Sequence, residues 1–187
     1  MFALATIACH HNLSKTSRQI RKVGFMADQD ARRQLRNAFG RFATGVCVVT
    51  CQAKTGPHLG PVGITVNSFS SVSLEPALLS WCIDHGSDRY EAFAGAELFH
   101  LDILHGGQEH VAMHFARQAA HDPTIEAKIL PNGLHITGSL AHFACRLHAR
   151  HPAGDHDILV GEILHHEEHD GPGLGYFGGQ FIQVAKT

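Results

Sequence analysis

The apolar positions of this chain fall mostly into short runs with a period of two, the pattern of strands that bury one face. In Phe143-Ala144-Cys145-Arg146-Leu147-His148-Ala149-Arg150, the face made by Phe143, Cys145, Leu147 and Ala149 alternates with Arg146, His148 and Arg150. Pro152-Ala153-Gly154-Asp155 then turns the chain, and Ile158 to Leu164 is expected to return as the antiparallel partner. Val46 to Cys51, Val62 to Asn67, Leu98 to Leu104, Leu174 to Phe177 and Phe181 to Val184 read as further strands. Ala77 to Ile83 is so apolar that both its faces should be covered. Helical spacing appears three times. It runs from Asp28 through Leu35, Ala38, Phe39 and Phe42 to a stop at Gly45, over Asp88 to Ala94 with a stop at Gly95, and over Gln108 to Arg117. Residues 118–133 read as a polar connection.

Seven or eight strands with three short helices, none regularly interposed between strands, predict a mainly β, predominantly antiparallel barrel or sandwich. The 187 residues suit one domain, expected over 28–187. Residues 1–27 differ: Lys15, Arg18, Arg21 and Lys22 come with no acidic residue before Asp28. They are expected to be a disordered arm or an overextended start ahead of Met26, and a targeting segment is the other reading.

One stretch stands apart, Gly63-Ile64-Thr65-Val66-Asn67-Ser68-Phe69-Ser70-Ser71-Val72-Ser73-Leu74-Glu75-Pro76. It starts as a strand and breaks into hydroxyl and amide side chains at the strand's exit. Small polar groups there offer many hydrogen bonds in little volume, which suits a polar planar ligand with a phosphate tail; a solvated turn would look the same. Ser70 and Ser71 read as turn residues.

Composition narrows the chemistry. A formal net charge of −2 gives no footprint for nucleic acid. No apolar run approaches the roughly 20 residues that span a bilayer. Cys9, Cys47, Cys51, Cys82 and Cys145 are odd in number, and four lie in apolar runs, so a reducing cytoplasm fits better than a disulfide framework. Apolar surroundings also make these thiols poor nucleophiles. The chain has no Gly-x-Ser-x-Gly elbow, Walker pattern or dinucleotide fingerprint, so a cofactor is expected to carry any hard chemistry.

The 17 histidines invite a metal reading. The densest cluster, His165-His166-Glu167-Glu168-His169-Asp170, could bring His165, Glu167 and His169 together on one strand face. It precedes the turn Gly171-Pro172-Gly173, where solvent exposure is more natural, and its histidines are three apart rather than in His-Glu-x-x-His spacing. No metal is expected. Asp84-His85-Gly86-Ser87-Asp88-Arg89 offers a phosphate site through a free hydroxyl and an adjacent arginine at a helix start, or simply an N-cap at Ser87. Gly154-Asp155-His156-Asp157 is either a solvated hairpin turn or the place where His156 meets a second substrate.

These segments, taken in order, resemble the flavin reductase-like proteins, the small reductase components of two-component flavin monooxygenases. The likeness is carried by Phe42-Ala43-Thr44-Gly45-Val46, by the stretch from Gly63 to Pro76, by Phe99-His100-Leu101-Asp102-Ile103-Leu104, by Gln108 and Phe115-Ala116, by Ala153 to Glu162 and by Tyr176-Phe177-Gly178-Gly179-Gln180-Phe181. The resemblance implies a split β-barrel that binds FMN or FAD, a homodimer with flavin at the subunit interface, and hydride transfer from NADH or NADPH. It implies that Thr65, Asn67 and Ser68 contact the flavin ring and ribityl chain. Cys82, Asp84, Ser87 and Arg89 would line the ribityl-phosphate end, and His156 would stand on the nicotinamide side. No side chain need act as acid or base. A flavin-dependent monooxygenase is the implied partner. The chain departs from the family pattern at Asp102, where asparagine is frequent, and in His165 to His169. A flavin-binding electron carrier without NAD(P)H activity, or a histidine-rich metal-binding module, are the rival readings.

Overall fold

The computed structural model describes residues 29–54 and 56–185; the expectations for residues 1–27 and for the helix start at Asp28 lie outside them. Helix α1 (Gln29–Phe39) is followed by strands β1 (Thr44–Gly45), β2 (Cys47–Ala53), β3 (Gly60–Val66), β4 (Ser70–Leu74) and β5 (Ala77–Asp84). Helix α2 (Tyr90–Ala94), β6 (Leu98–Ile103) and α3 (Glu109–Arg117) come next. The chain continues through β7 (Ala127–Leu130), β8 (Gly133–Ile136), β9 (Ala141–Ala153), β10 (His156–Glu168), β11 (Gly173–Phe177) and β12 (Gln180–Val184).

Seven strands form one antiparallel sheet in the order β3-β2-β6-β9-β10-β5-β4. Its outermost strands, β3 and β4, are consecutive in sequence and joined only by Asn67-Ser68-Phe69, so the sheet must curl to bring its two edges together. Paired residues on neighbouring antiparallel strands point to the same side of a sheet. One side carries Cys47, Val49 and Cys51 of β2, Leu101 and Phe99 of β6, Cys145 of β9 and Trp81 of β5, all buried in one apolar core. Trp81 is its centre, edge-on to Phe93 and Phe99 at 5.1 and 5.9 Å between ring centres.

The other side carries Val48, which joins Val46, Leu104, Phe115, Leu134 and Ile136 in a second core under α3 and the β7–β8 hairpin. Thr50 fastens that hairpin to the sheet. Its hydroxyl donates to the Leu134 carbonyl at 2.8 Å and accepts from the Leu134 amide at 2.9 Å. The three-stranded sheet β1-β11-β12 lies beside this layer, with Thr44 paired to Tyr176.

Three expectations are corrected. The first helix stops at Phe39, not Gly45: Gly40 and Phe42 close a turn on Arg36 and Phe39, and Thr44–Gly45 is already a strand paired with β11. Phe42 continued the helical spacing, yet it is 67% exposed and lies in the turn. Ser70 and Ser71 are not turn residues but the start of β4, whose serines are polar because this strand is a solvent-exposed sheet edge. The connection 118–133 contains β7, and Pro131-Asn132 turns it into β8; these additions, with β1, raise the strand count to twelve among the described residues.

Candidate active site

A cavity of about 580 Å³ opens where the end of β3, the Asn67-Ser68 corner, the end of β5, the Ser87–Arg89 loop, α3 and the β11–β12 turn converge. All seven positions singled out as cofactor contacts line it: Thr65, Asn67, Ser68, Cys82, Asp84, Ser87 and Arg89. They lie on or just after β3, at one end of the sheet order, and β5, next to the other end, and the curl of the sheet is what brings them together.

Each is held by local bonding. The Thr65 hydroxyl donates to the Ala112 carbonyl at 2.7 Å, tying β3 to α3 and leaving its lone pairs to accept. Ser68 Oγ accepts from the Cys82 amide at 2.9 Å, which joins the Asn67-Ser68 corner to β5 and leaves the hydroxyl hydrogen free to donate. Burial pushes the Cys82 thiol above its ordinary value, partly offset by Ser68, so it is a wall and not a nucleophile. Asp84 Oδ1 accepts from the Gly86 amide at 2.7 Å, and Ser87 Oγ accepts from the Arg89 amide at 3.2 Å. This second bond makes Ser87 a turn-former rather than the N-cap, which is Arg89 itself.

Arg89 is the most informative residue of the wall. It is 5% exposed, and its Nη1 meets Asp88 Oδ1 at 3.1 Å. Its Nε and Nη2 are buried without a hydrogen-bond partner among the described residues. A buried guanidinium with unmet donors is costly unless an anion completes it. Helix α2 has only five residues, so an anion here is held by the arginine and the loop and not by a helix terminus. Asp88 in turn takes His58 Nε2 at 2.9 Å; that bond, with the Arg89 charge, holds the Asp88 carboxyl below the usual range.

His156 is placed differently. It starts β10 directly opposite Asp84 on β5, with Nδ1 2.7 Å from Asp155 Oδ1, and it does not line the cavity. The neighbouring Asp157 does more structural service: its buried carboxylate accepts from Tyr90 Oη at 2.7 Å and lies 2.8 Å from His85 Nε2, bracing the loop that carries Ser87 and Arg89.

The rest of the wall was not singled out from the sequence. Glu109, Met113 and Ala116 come from α3, and Tyr176, Gly179, Gln180 and Phe181 from the β11–β12 turn. Their segments carried part of the resemblance, which was the available signal, but their place in the wall depends on long-range packing. A second hollow shares Asn67, Tyr176 and Gly179 with the cavity and adds Arg36, Arg41 and Phe42. The surface segment His165 to His169 stays exposed, with His165 Nε2 3.4 Å from Glu167 Oε1. The grouping of metal-capable side chains among the described residues lies elsewhere, at buried Asp102, His135 and His142.

The donor set suits a flavin: hydroxyls, a carboxamide and an unsatisfied guanidinium share the wall with apolar Met113, Ala116 and Phe181, beside the carboxylates of Asp84 and Glu109. Residues 39–185 match the family described as the flavin reductase like domain. The chain is 42% identical over 163 residues to the FMN reductase (NADH) SmoA of Agrobacterium fabrum, covering 87% of this chain and 91% of that protein. It is 40% identical to the reductase component of the flavin-dependent trigonelline monooxygenase of Acinetobacter baylyi, covering 83% of this chain but half of that longer protein. The solved NADH:FAD oxidoreductase SgcE6 of Streptomyces globisporus superposes with a TM-score of 0.75 at 32% identity, covering 87% of this chain and 98% of that one. This chain belongs to the flavin reductase-like family.

Proposed function

We propose that the protein is an NAD(P)H-dependent flavin reductase that takes FMN or FAD into the 580 Å³ cavity and delivers reduced flavin to a partner monooxygenase. The observation that carries the reading is Arg89, a buried cation with two unmet donors on the wall of a cavity lined also by hydroxyl, amide and apolar groups and by the carboxylates of Asp84 and Glu109. Bound flavin supplies the hydride-accepting chemistry, as the cofactor does in such enzymes.

The chain's own residues bind, orient and exclude water. Arg89 and Ser87 take the phosphate through charge-assisted hydrogen bonds. The free Ser68 hydroxyl and the Asn67 carboxamide meet the polar edge and ribityl chain, with Thr65 able only to accept at its hydroxyl. Donors fixed before the reaction stabilise the negative charge that develops on reduction. Tyr176, Phe181 and Met113 keep the ring's surroundings dry. His156, beyond the wall, is assigned to hold the nicotinamide, which supports catalysis by positioning.

The curled seven-stranded sheet is read as a split β-barrel, working as a homodimer in the cytoplasm, and 28–187 as its single domain. Four buried free thiols, Cys47, Cys51, Cys82 and Cys145, support the reducing compartment. No described helix is long and apolar enough to cross a membrane.

Anaerobic mixing of flavin-loaded protein with NADH or NADPH tests the reading. Oxidised-flavin absorbance near ~450 nm should bleach within seconds. No bleaching with either nucleotide overturns reductase activity in favour of a carrier. His156→Ala should raise the KM for NAD(P)H while leaving the flavin Kd unchanged; equal effects on both overturn its assignment.

A further inference from the structure

The sheet face that meets the β7–β8 hairpin carries polar side chains the flavin cavity does not use. Asp102 on β6 pairs with His142 on β9, which pairs with Glu167 on β10, so the three share one row and one face. His100, two residues from Asp102, lies on the same face, and His135 comes down from β8. Asp102 is 0% exposed, His142 3% and His135 7%. None of them lines the cavity.

Their bonding is incomplete. Asp102 Oδ1 accepts from Ser139 Oγ at 3.0 Å, lies 3.0 Å from His142 Nδ1 and 3.8 Å from His135 Nε2. Asp102 Oδ2 and both ring nitrogens of His100 are buried without a hydrogen-bond partner among the described residues. The imidazoles stack as His100, His142 and His135, with ring centres 5.2 and 3.9 Å apart. A carboxylate buried this deeply costs several kcal/mol unless a cation faces it. A proton shared with one imidazole would serve one contact and set a charged ring face to face against its neighbour. A metal ion would serve three donors together.

From this geometry we propose that Asp102, His135 and His142 form a zinc site that pins the β7–β8 hairpin to the sheet. The donor atoms lie within 4.8 Å of one another. The separations of 3.0 and 3.8 Å bracket the roughly 3.4 Å between ligands of a tetrahedral ion with bonds of about 2.0–2.1 Å. Two imidazoles and a carboxylate are a set that zinc takes, and one that iron(II) also takes, and mass spectrometry of the bound metal distinguishes the two. Binding replaces the His142–Asp102 hydrogen bond and turns the two rings out of their parallel stack. Exposed Glu167, at the outer end of the row opposite His142, marks the side from which the ion enters. The three ligands leave the fourth tetrahedral position to water or to the second Asp102 oxygen, and they join β6 and β9 of the sheet to β8 of the hairpin, away from hydride transfer.

The test is zinc content and affinity of the untagged full chain, by mass spectrometry of metal and by competition with a chromophoric chelator. One tight equivalent per chain is expected, with a higher Tm in zinc than after chelation. The isosteric Asp102→Asn, and separately His135→Gln and His142→Gln, should weaken binding by more than about 100-fold, beyond the effect of losing an outer-shell partner. A combined His165→Gln, His166→Gln and His169→Gln variant should keep the tight equivalent. Loss in that surface variant, retention in Asp102→Asn, or absence of any tight equivalent in the folded wild type overturns the proposal. Should one buried variant fail to fold, the wild-type stoichiometry and the surface variant still decide. None of these readouts depends on flavin reduction.

Discussion

Arg89 concentrates the chemistry of the cavity into one side chain. Its Nη1 is committed to Asp88, while Nε and Nη2 are left to the ligand. Hydrogen bonds to a charged group contribute about 1.5–3 kcal/mol each, so losing even one of the two makes Arg89→Ala weaken FMN binding by at least roughly 10–100-fold, with little loss of Tm because it also relieves a buried charge. Isothermal titration with FMN and with riboflavin checks this. The loss should appear for FMN and vanish for riboflavin, which has no phosphate; equal losses would place Arg89 elsewhere on the ligand. Gly63 is a second single-atom constraint. A Cβ there would come within 2.5 Å of the Phe115 ring, and Phe115 is fully buried under β3. Gly63→Ala should therefore lower stability by about 1–3 kcal/mol, seen as a lower denaturant midpoint. It should also weaken flavin binding, since α3 supplies Met113 and Ala116 to the cavity and is tied to β3 through Thr65.

At the scale of elements, the loop 84–89 is held from below by Asp157 on β10. The bond from His85, then that from Tyr90, keeps the Asp157 carboxyl below the ordinary carboxylate range. A lowered folded-state value contributes stability that is fully present above the unfolded value near ~3.9 and is lost as pH falls through the folded value. Asp157→Asn should lower Tm at neutral pH and make the difference from wild type shrink below about pH 4. Thermal melts across that range check it; a constant difference would show that the carboxylate charge plays no part. The elements most legible in the sequence were those with one clear face: β9 shows alternation because Phe143, Cys145 and Leu147 face the core, and α3 shows Val111, Ala112 and Phe115 on one side. β4, β7 and β8 were hidden. An edge strand such as Ser70–Leu74 has no buried face to write an alternation, and a four-residue strand is too short to show a period. The cavity followed the same rule. Residues contiguous with a distinctive segment, Thr65 to Ser68 and Cys82 to Arg89, could be singled out, whereas Tyr176, Phe181 and Met113 enter the wall only through packing across the fold. The Asp102 cluster was visible as one unexpected carboxylate, but its histidines lie on the consecutive strands β8 and β9, well beyond β6 in sequence.

At the scale of the whole molecule, apolar surface is left unpaired among the described residues where a single chain has no use for it. Helix α1 has an apolar stripe, yet Leu35 is 51% exposed and Phe42 just beyond the helix is 67% exposed. On β4, Val72 sits at a bulge between Ser71 and Ser73, and Leu74 is 97% exposed on a free sheet edge. An edge strand that carries bare Val and Leu invites pairing with another chain unless a partner already covers it. The flavin cavity and its neighbouring hollow meet α1's end through Asn67 and Tyr176, so a partner that covered Phe42 would also wall the cavity. This arrangement supports the proposed homodimer, in which the ligand would lie beside the interface. Light scattering coupled to size exclusion should give twice the 20.3 kDa of one chain. Phe42→Glu together with Leu74→Glu should yield a folded monomer, since both side chains stand in solvent within one chain and contribute little to its own core. If the partner completes the cavity, that monomer loses flavin affinity by tenfold or more, about 1.4 kcal/mol. A wild-type protein that runs as a 20.3 kDa monomer, or a monomeric variant with unchanged flavin affinity, would separate the cavity from any subunit interface.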